Sequence, residues 1–507
     1  MACLKNTVAF LLSFIVIATC FLGCNNYDNQ ASEPDISRTT NATKDYDISV
    51  YSFKKENAEQ FKEMCVEYTF ETGVKIKFSS VESNQDAMET LLAEMDSLNQ
   101  PTIFTVQGIR ELSEWEQRGL VLDFNKASED KFKTMSEEIP SDFKLSSDGS
   151  NNYGIPIGVE GYGYLVDTQM ISDLFETKSV NNLLQDIKIA SYDEFKLLVN
   201  ALDHYIKDNT VSTIKLNGKQ YTLAPTKTEL SKQLTGVFSV AGSEKWTYGD
   251  HMLNVALTTV FSAPVDAYKA TNTQLDSLSN PLIKYAQALD LKTSHASGDT
   301  APIQRGPEFV NPLVNGYEQA INHFASGKSV FLKQGSWVYR TIEQKNTEVA
   351  KRLTILPIKM PITQNDIKVP DMTVEKFNSS IPVYIPMYYA INAKATEKEQ
   401  KLAQDFLVWL NTSEEGQKYI TDAFQIIPYN ITESKTFESP LNNVILEYKK
   451  TGHFLSDPYH GTPLSWSQNA VGQKIQNEYL TKQTWTKEDY KAISEYAVSE
   501  WKALKNQ

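Results

Sequence analysis

At 507 residues the chain is too long for a single hydrophobic core, so two or more domains are expected. With 41% hydrophobic and 22% charged residues the composition is that of folded, water-exposed domains and not of a disordered or membrane-embedded chain. The formal net charge of −14 argues against nucleic acid as a partner, because too few cations are left over to neutralise phosphates, and against adhesion to an anionic bilayer by charge alone.

The N-terminus reads as an export signal. Lys5 precedes an apolar run from Val8 to Leu22 that is short for a spanning helix, ends in Gly23-Cys24 and gives way at once to the polar stretch NNYDNQ. A small residue directly before cysteine at the end of such a run resembles a bacterial lipobox, although Phe21 stands where leucine is usual. The expectation is cleavage after Gly23 and acylation of Cys24. Cys3 and Cys20 then leave with the signal, only Cys65 remains as a free thiol, and no intramolecular disulfide is available to the mature chain. Cys65 itself is in helical phase with Phe61 and Tyr68 and reads as a small core residue. Residues 24–45 are polar and read as a flexible tether.

From Ile48 onward apolar spacing alternates between period 2 and period 3.6. Ile48–Phe53 predicts a strand; Phe61, Met64, Cys65 and Tyr68 a helix closed by Gly73; Val74–Phe78 a second strand; Met88, Leu91, Leu92 and Met95 a second helix; and Pro101–Val106 a third strand. A β-α-β-α-β series of this kind calls for a parallel sheet covered by helices, with ligands beyond the carboxyl ends of the strands, near Ser52, Phe53 and the Gln107–Arg110 turn. Farther along, Ser191–Glu194 and Thr396–Glu399 are capping boxes that open helices, Leu216-Asn-Gly-Lys219 suggests a hairpin, and Leu353–Ile358 is expected to carry the chain back to the first lobe.

The stretch Asn152–Asp167 holds Gly154, Gly158, Gly161 and Gly163 around Pro156 and the single mid-stretch carboxylate Glu160. On composition it suits either an ordinary strand preceded by a tight turn or a strand that bends from one lobe into another.

Enzyme-like motifs are weakly supported. Gly327-Lys328-Ser329 resembles the end of a phosphate loop but has Asn322 where the first glycine is required. Ser52–Lys55, Ser179–Asn181 and Lys450–Gly452 imitate the three motifs of serine acyl-enzymes, yet Ser52 ends a strand instead of opening a helix. None of the six histidines has a metal-like partner at i+2 or i+4, and no metal, cofactor or catalytic residue is expected. Aromatic rings at loop positions are the stronger feature, because sugars lay C–H patches on aromatic faces and present hydroxyls to fixed donors and acceptors. Trp337 follows Gly335 and Ser336 past a strand, Trp466 opens a helix after Pro463 and Leu464, and Trp246 and Tyr248 lie in a Gly- and Ser-containing loop. Trp409 and Trp501 fall in regular helical stretches and are assigned to packing.

YGIP-x-GVEGYG followed by an apolar strand and Asp167 resembles the first interdomain crossover of the sugar-binding proteins of ABC importers, the bacterial extracellular solute-binding protein family 1 of maltodextrin-binding type. PTIFTVQGIRELSEWEQRGLVLDF, GKSVFLKQGSW, LTILPIK, YYAINAKATEKEQKLAQDFLVWLNTSEEGQKYI and LSWSQNAVGQKIQNEYL resemble that family in the same order. The resemblance implies an α/β, two-lobed periplasmic-binding-protein-like fold, each lobe a mostly parallel sheet flanked by helices. It places a first lobe at 46–162 with 360–425, a second at 166–355 with 430–507, and a hinge near 160–166, 353–360 and 425–430. It also implies a monomeric, non-enzymatic protein, tethered by lipid on Cys24, that closes on a carbohydrate and delivers it to an ABC permease. A non-sugar solute, or a secreted glycoside hydrolase, remains the alternative. Carried onto this sequence, the ligand contacts are Glu160, Trp337 and Trp466, with Trp246 and Tyr248 matched only by region; Phe53, Gln107, Tyr162 and Tyr384 complete the set, Gln107 standing where the family often has an aromatic.

Overall fold

The computed structural model describes residues 44–80, 87–177, 179–431 and 435–505; Cys24, the apolar N-terminal run and most of the tether lie outside them. Strands occur in chain order as β1 (Ile48–Ser52), β2 (Ile76–Ser80), β3 (Ile103–Val106), β4 (Ile155–Pro156), β5 (Glu160–Asp167), β6 (Thr213–Leu216) and β7 (Lys219–Thr222). They continue as β8 (Gly236–Ser239), β9 (Ser329–Gly335), β10 (Leu353–Leu356), β11 (Ile381–Tyr384), β12 (Tyr388–Ile391) and β13 (Phe454–Leu455). The first sheet has the order β2-β1-β3-β12-β4, with β1 parallel to both β2 and β3. Helix Ala58–Thr72 packs Phe61, Met64, Cys65 and Tyr68 beneath it and stops where Gly73 takes the left-handed conformation (φ 76°), which costs a glycine nothing.

The second sheet runs β13-β11-β5-β9-β8, with β10 also on β5. It is mixed: β8–β9 and β11–β13 are parallel, whereas β5 is antiparallel to β9, β10 and β11. All eight residues of β5 are buried. Its glycines answer to close neighbours. A Cβ at Gly161 would lie 2.8 Å from Ile445 of helix Pro440–Lys450, and one at Gly163 would collide with the Leu356 carbonyl of β10.

The first sheet hands over to the second across Ile157–Val159, where Ile157 N donates to the Met387 carbonyl (3.1 Å) and Val159 N to the Ile427 carbonyl (2.7 Å). These bonds bring three chain segments side by side where the lobes join. The segment expected to return the chain, 353–360, begins with β10, whose Leu353 and Ile355 pack in the cluster that also holds the first lobe's core. β10 and β11 both pair with β5, and Leu356, Ile358, Met360, Ile362, Ile367 and Phe377 pack into the second lobe's core. An apolar strand satisfies either sheet equally well, and only its antiparallel partner decides which.

Local signals hold closely. Ser191 and Glu194, and Thr396 and Glu399, form reciprocal capping boxes on helices Tyr192–Asp208 and Glu397–Thr412. Asn217 and Gly218 both take positive φ in the turn between β6 and β7.

Candidate functional site

The first residue of β5, Glu160, sits at the lobe junction with its carboxylate 2.6 Å from Lys54 Nζ, which comes from the loop after β1 and also lies 3.3 Å from Glu56. Burial by itself would lower the Lys54 ammonium, but Glu160 and Glu56 outweigh it and hold the group above the ordinary lysine value. The second carboxylate oxygen of Glu160 is buried with no partner.

Two residues on, Tyr162 points to the same face of the strand and begins a cluster of rings. Its hydroxyl donates to the His251 carbonyl and accepts from Asn254 Nδ2, both at 3.0 Å, and its ring lies parallel to the His251 imidazole with centroids 4.3 Å apart. Tyr384, opposite Glu160 in β11, meets Tyr162 edge-on at 5.7 Å. Trp337 comes from the turn after β9 and folds back over Gly335, where any Cβ would strike the indole. Its Nε1 donates to Gln334 Oε1 (3.0 Å), and its ring lies 5.3 Å from His251. Trp246 stands 5.2 Å from His251, 6.2 Å from Trp337 and 6.0 Å from Tyr317. Trp246, Trp337 and Tyr317 are only partly buried, so the cluster opens on their side.

His251 is presented by a π-helical turn, Thr247–Met252, a rare geometry whose extra backbone residue re-aims side chains. Burial first, then the positive charge of Lys333, His460, Lys54 and Arg110, pushes His251 well below the usual histidine range, so its ring is neutral. Lys333 Nζ lies 2.8 Å from His251 Nδ1 and over the rings of Tyr162 (5.0 Å) and Trp246 (5.3 Å).

The first lobe reaches across to the second through Arg110, at the start of helix Ile109–Gln117. Its guanidinium donates to Ser467 Oγ (3.1 Å), lies 3.5 Å from Asp250 Oδ1 and stacks 5.1 Å over Tyr459. Asp250 is already fixed by Ser467 and Gln468, at 2.5 and 2.6 Å. Tyr459 and His460, in the turn Pro458–Gly461, close that side; His460 Nδ1 pairs with Asp457 at 2.7 Å. Arg110 Nε and His460 Nε2 are buried without partners, like Glu160 Oε2. Three buried polar atoms with unused hydrogen-bonding capacity around one set of rings describe a surface prepared for a polar ligand with flat apolar faces.

Of the residues singled out from sequence, the structure brings together Glu160, Tyr162, Tyr384, Trp246 and Trp337. Gln107 borders them, its Oε1 accepting from Arg110 at 3.2 Å. Three do not join the ring cluster. Trp466 is fully buried in the second lobe, its Nε1 donating to the Ala497 carbonyl (2.7 Å) and its ring 4.5 Å from Trp501, so the residue assigned to the ligand is a core residue. Tyr248 is fully buried beneath the site, its hydroxyl spent on the Gly242 carbonyl. Phe53 is buried in the first lobe against Tyr51. Lys54, His251, Lys333, Tyr459 and His460 escaped the sequence reading. Only Lys333 carried a local signal, as a buried-strand lysine directly after the apolar run Val330–Leu332 of β9.

Residues 60–439 match the model of a family described as bacterial extracellular solute-binding protein. The chain belongs to that family. It is therefore an extracellular solute-binding protein and not an enzyme. No curated protein matches it by sequence. Among solved structures it is similar to RafE in complex with raffinose, at 16% identity over 90% of this chain and 99% of that one with a TM-score of 0.59. It is similar also to a chitin oligosaccharide binding protein, at 16% identity over 91% and 99% with a TM-score of 0.58. A third is a Streptococcus pneumoniae solute-binding protein in complex with the blood group A-trisaccharide, at 13% identity over 89% and 99% with a TM-score of 0.57. At such identities the likeness establishes the two-lobed fold of the binding protein.

Proposed function

We propose that this binding protein captures a carbohydrate, an oligosaccharide, in the ring-lined junction at β5 and delivers it to an ABC permease. The observation that carries this reading is the set of rings from Tyr162, Tyr384, Trp246 and Trp337 beside the unpartnered Glu160 Oε2, Arg110 Nε and His460 Nε2. Rings supply the platform for sugar C–H faces, and the unpartnered atoms supply the donors and acceptors that hydroxyls need. The sugars named for the structurally similar proteins support the same ligand class. Capture works by differential binding: a ligand touching both lobes favours the conformation in which Arg110 meets Asp250. Acylation of Cys24 would hold the monomeric protein at the outer face of the membrane.

The test is a glycan panel read by thermal shift and calorimetry, since a ligand that binds only the folded state raises its apparent stability. Saturable binding of an oligosaccharide recovered unchanged supports the proposal, and failure of every glycan alongside binding of a peptide or other solute refutes it. For the anchor, Cys24→Ala should abolish lipid labelling; undiminished labelling would refute acylation at that residue.

A further inference from the structure

The cations around the ring cluster are not all paired with a carboxylate. Lys54 is matched by Glu160 and Glu56, Arg110 by Asp250, and His460 by Asp457. Lys333 differs. It is 4% exposed, and among the described residues no carboxylate stands within ion-pairing distance of it. Its closest polar neighbour is the neutral His251, and its other neighbours are the faces of Tyr162 and Trp246. Burial first, then the charge of a second buried lysine, Lys292, pushes the Lys333 ammonium well below the ordinary lysine range, while Asp250, the acid that acts against them, is already occupied by Arg110, Ser467 and Gln468, so a ligand anion would restore its charge.

An ammonium in this position loses hydration without a counter-ion in return, which is costly enough that structural lysines are rarely placed so. A packing role does not account for it, since Phe331, two residues earlier on the same face of β9, shows that this face accepts an apolar side chain. Although the four cations and four carboxylates around the rings balance in number, Lys333 has no carboxylate of its own and lies against Trp246, a partly buried ring on the open side. We propose that the ligand is an acidic saccharide, whose one carboxylate or sulfate group sits against Lys333 while its sugar rings lie on Trp246 and Trp337. This inference rests on the carbohydrate reading and narrows it. Glu160 Oε2, an unpartnered acceptor, is left to take a hydroxyl from the neutral part of the same ligand.

Two matched pairs of probes test it on the full-length protein in detergent by calorimetric titration. Trigalacturonate is compared with its trimethyl ester, and neocarrabiose sulfate with desulfated neocarrabiose, so that within each pair only the charge changes. The expected result is that at least one acidic member binds ten-fold or more tightly than its neutral partner, that added salt narrows the gap, and that Lys333→Met removes it while leaving the thermal unfolding transition cooperative. Preference for the carboxylate pair or the sulfate pair identifies which anion is read. Equal or tighter binding of both neutral members overturns the acidic inference and leaves the carbohydrate reading standing. A charge preference that survives in Lys333→Met overturns the role of Lys333. If neither pair binds, the inference fails, and if the broad glycan panel is also blank the carbohydrate reading fails with it.

Discussion

Trp337 and Trp466 look alike in sequence, each a loop tryptophan beside a small residue, yet truncating them should damage different properties. Trp466 is fully buried, its indole tilted against Trp501 with centroids 4.5 Å apart and its Nε1 bonded to the Ala497 carbonyl. Removing it leaves a cavity that costs about 3–5 kcal/mol. Trp466→Ala should therefore lose about 3–5 kcal/mol of folding stability on that basis. The molecules that remain folded should keep their affinity. Trp337 is partly buried against both cores and its one hydrogen bond goes to the neighbouring Gln334, so less stability rests on it than on Trp466. What it supplies is a ring face, and Trp337→Ala should weaken sugar binding by about 1–3 kcal/mol, or roughly 5- to 150-fold, the loss typical of a stacked aromatic anchor. Urea denaturation of both variants, together with calorimetric titration of the best glycan at a temperature where each is folded, measures the two effects separately. Normal stability with lost affinity in Trp466→Ala would return that residue to the site. An early-melting Trp337→Ala that binds normally would remove the ring platform from the proposal.

Two further outcomes follow from His251 and Gly108. Folded His251 stays neutral well below pH 6.5, whereas the unfolded chain takes up a proton near about that pH, so the unfolded state binds more protons on acidification and stability falls, by at most about 1.4 kcal/mol per pH unit from this group. The stability difference between wild type and His251→Gln, from urea midpoints at pH 7.5 and 5, should shrink toward acid; a difference independent of pH would mean that His251 titrates normally. Gly108 has φ 74° and ψ −170°, and a Cβ there would come within 2.6 Å of the His460 Cβ, so Gly108→Ala is a wedge between the lobes as well as a strained residue, costing roughly 1–3 kcal/mol in backbone strain. Solution scattering should give a larger radius of gyration for the variant with circular dichroism unchanged; superimposable scattering curves would mean that this contact does not govern how far the lobes close.

The elements that could be read from sequence are those determined within a few residues. Ser191 with Glu194, Thr396 with Glu399, Gly73 as a helix stop and the Asn217-Gly218 turn each solve a local hydrogen-bonding or backbone problem, so their chemistry is visible in the string. Glu160 and Tyr162 were legible through the glycines around them, which are required by Ile445 and Leu356. Properties decided by distant chain were not. Trp466 became a core residue because helix Lys487–Lys505 arrives later and covers it. The run from Met360 into β11 was expected in the first lobe, whereas β11 pairs with β5, about two hundred residues earlier in the sequence. His251 and Lys333 come together only because a π-helical turn, whose spacing leaves no imprint on apolar periodicity, presents the imidazole to β9.

Arg110 bears on kinetics as well as on geometry. Its contacts with Ser467, Asp250 and Tyr459 are made entirely by the protein, so part of the free energy of closure is present before any ligand arrives. Pre-closure reduces the share a ligand must contribute, and each 1.4 kcal/mol of it is worth about ten-fold in affinity for as long as the closed form remains the minor one. Entry, however, needs the lobes apart, so the same contact lowers the association rate in proportion to the open fraction it removes. Substitutions at Arg110 thus provide a way to exchange tight retention for rapid capture without altering any of the rings proposed to hold the sugar.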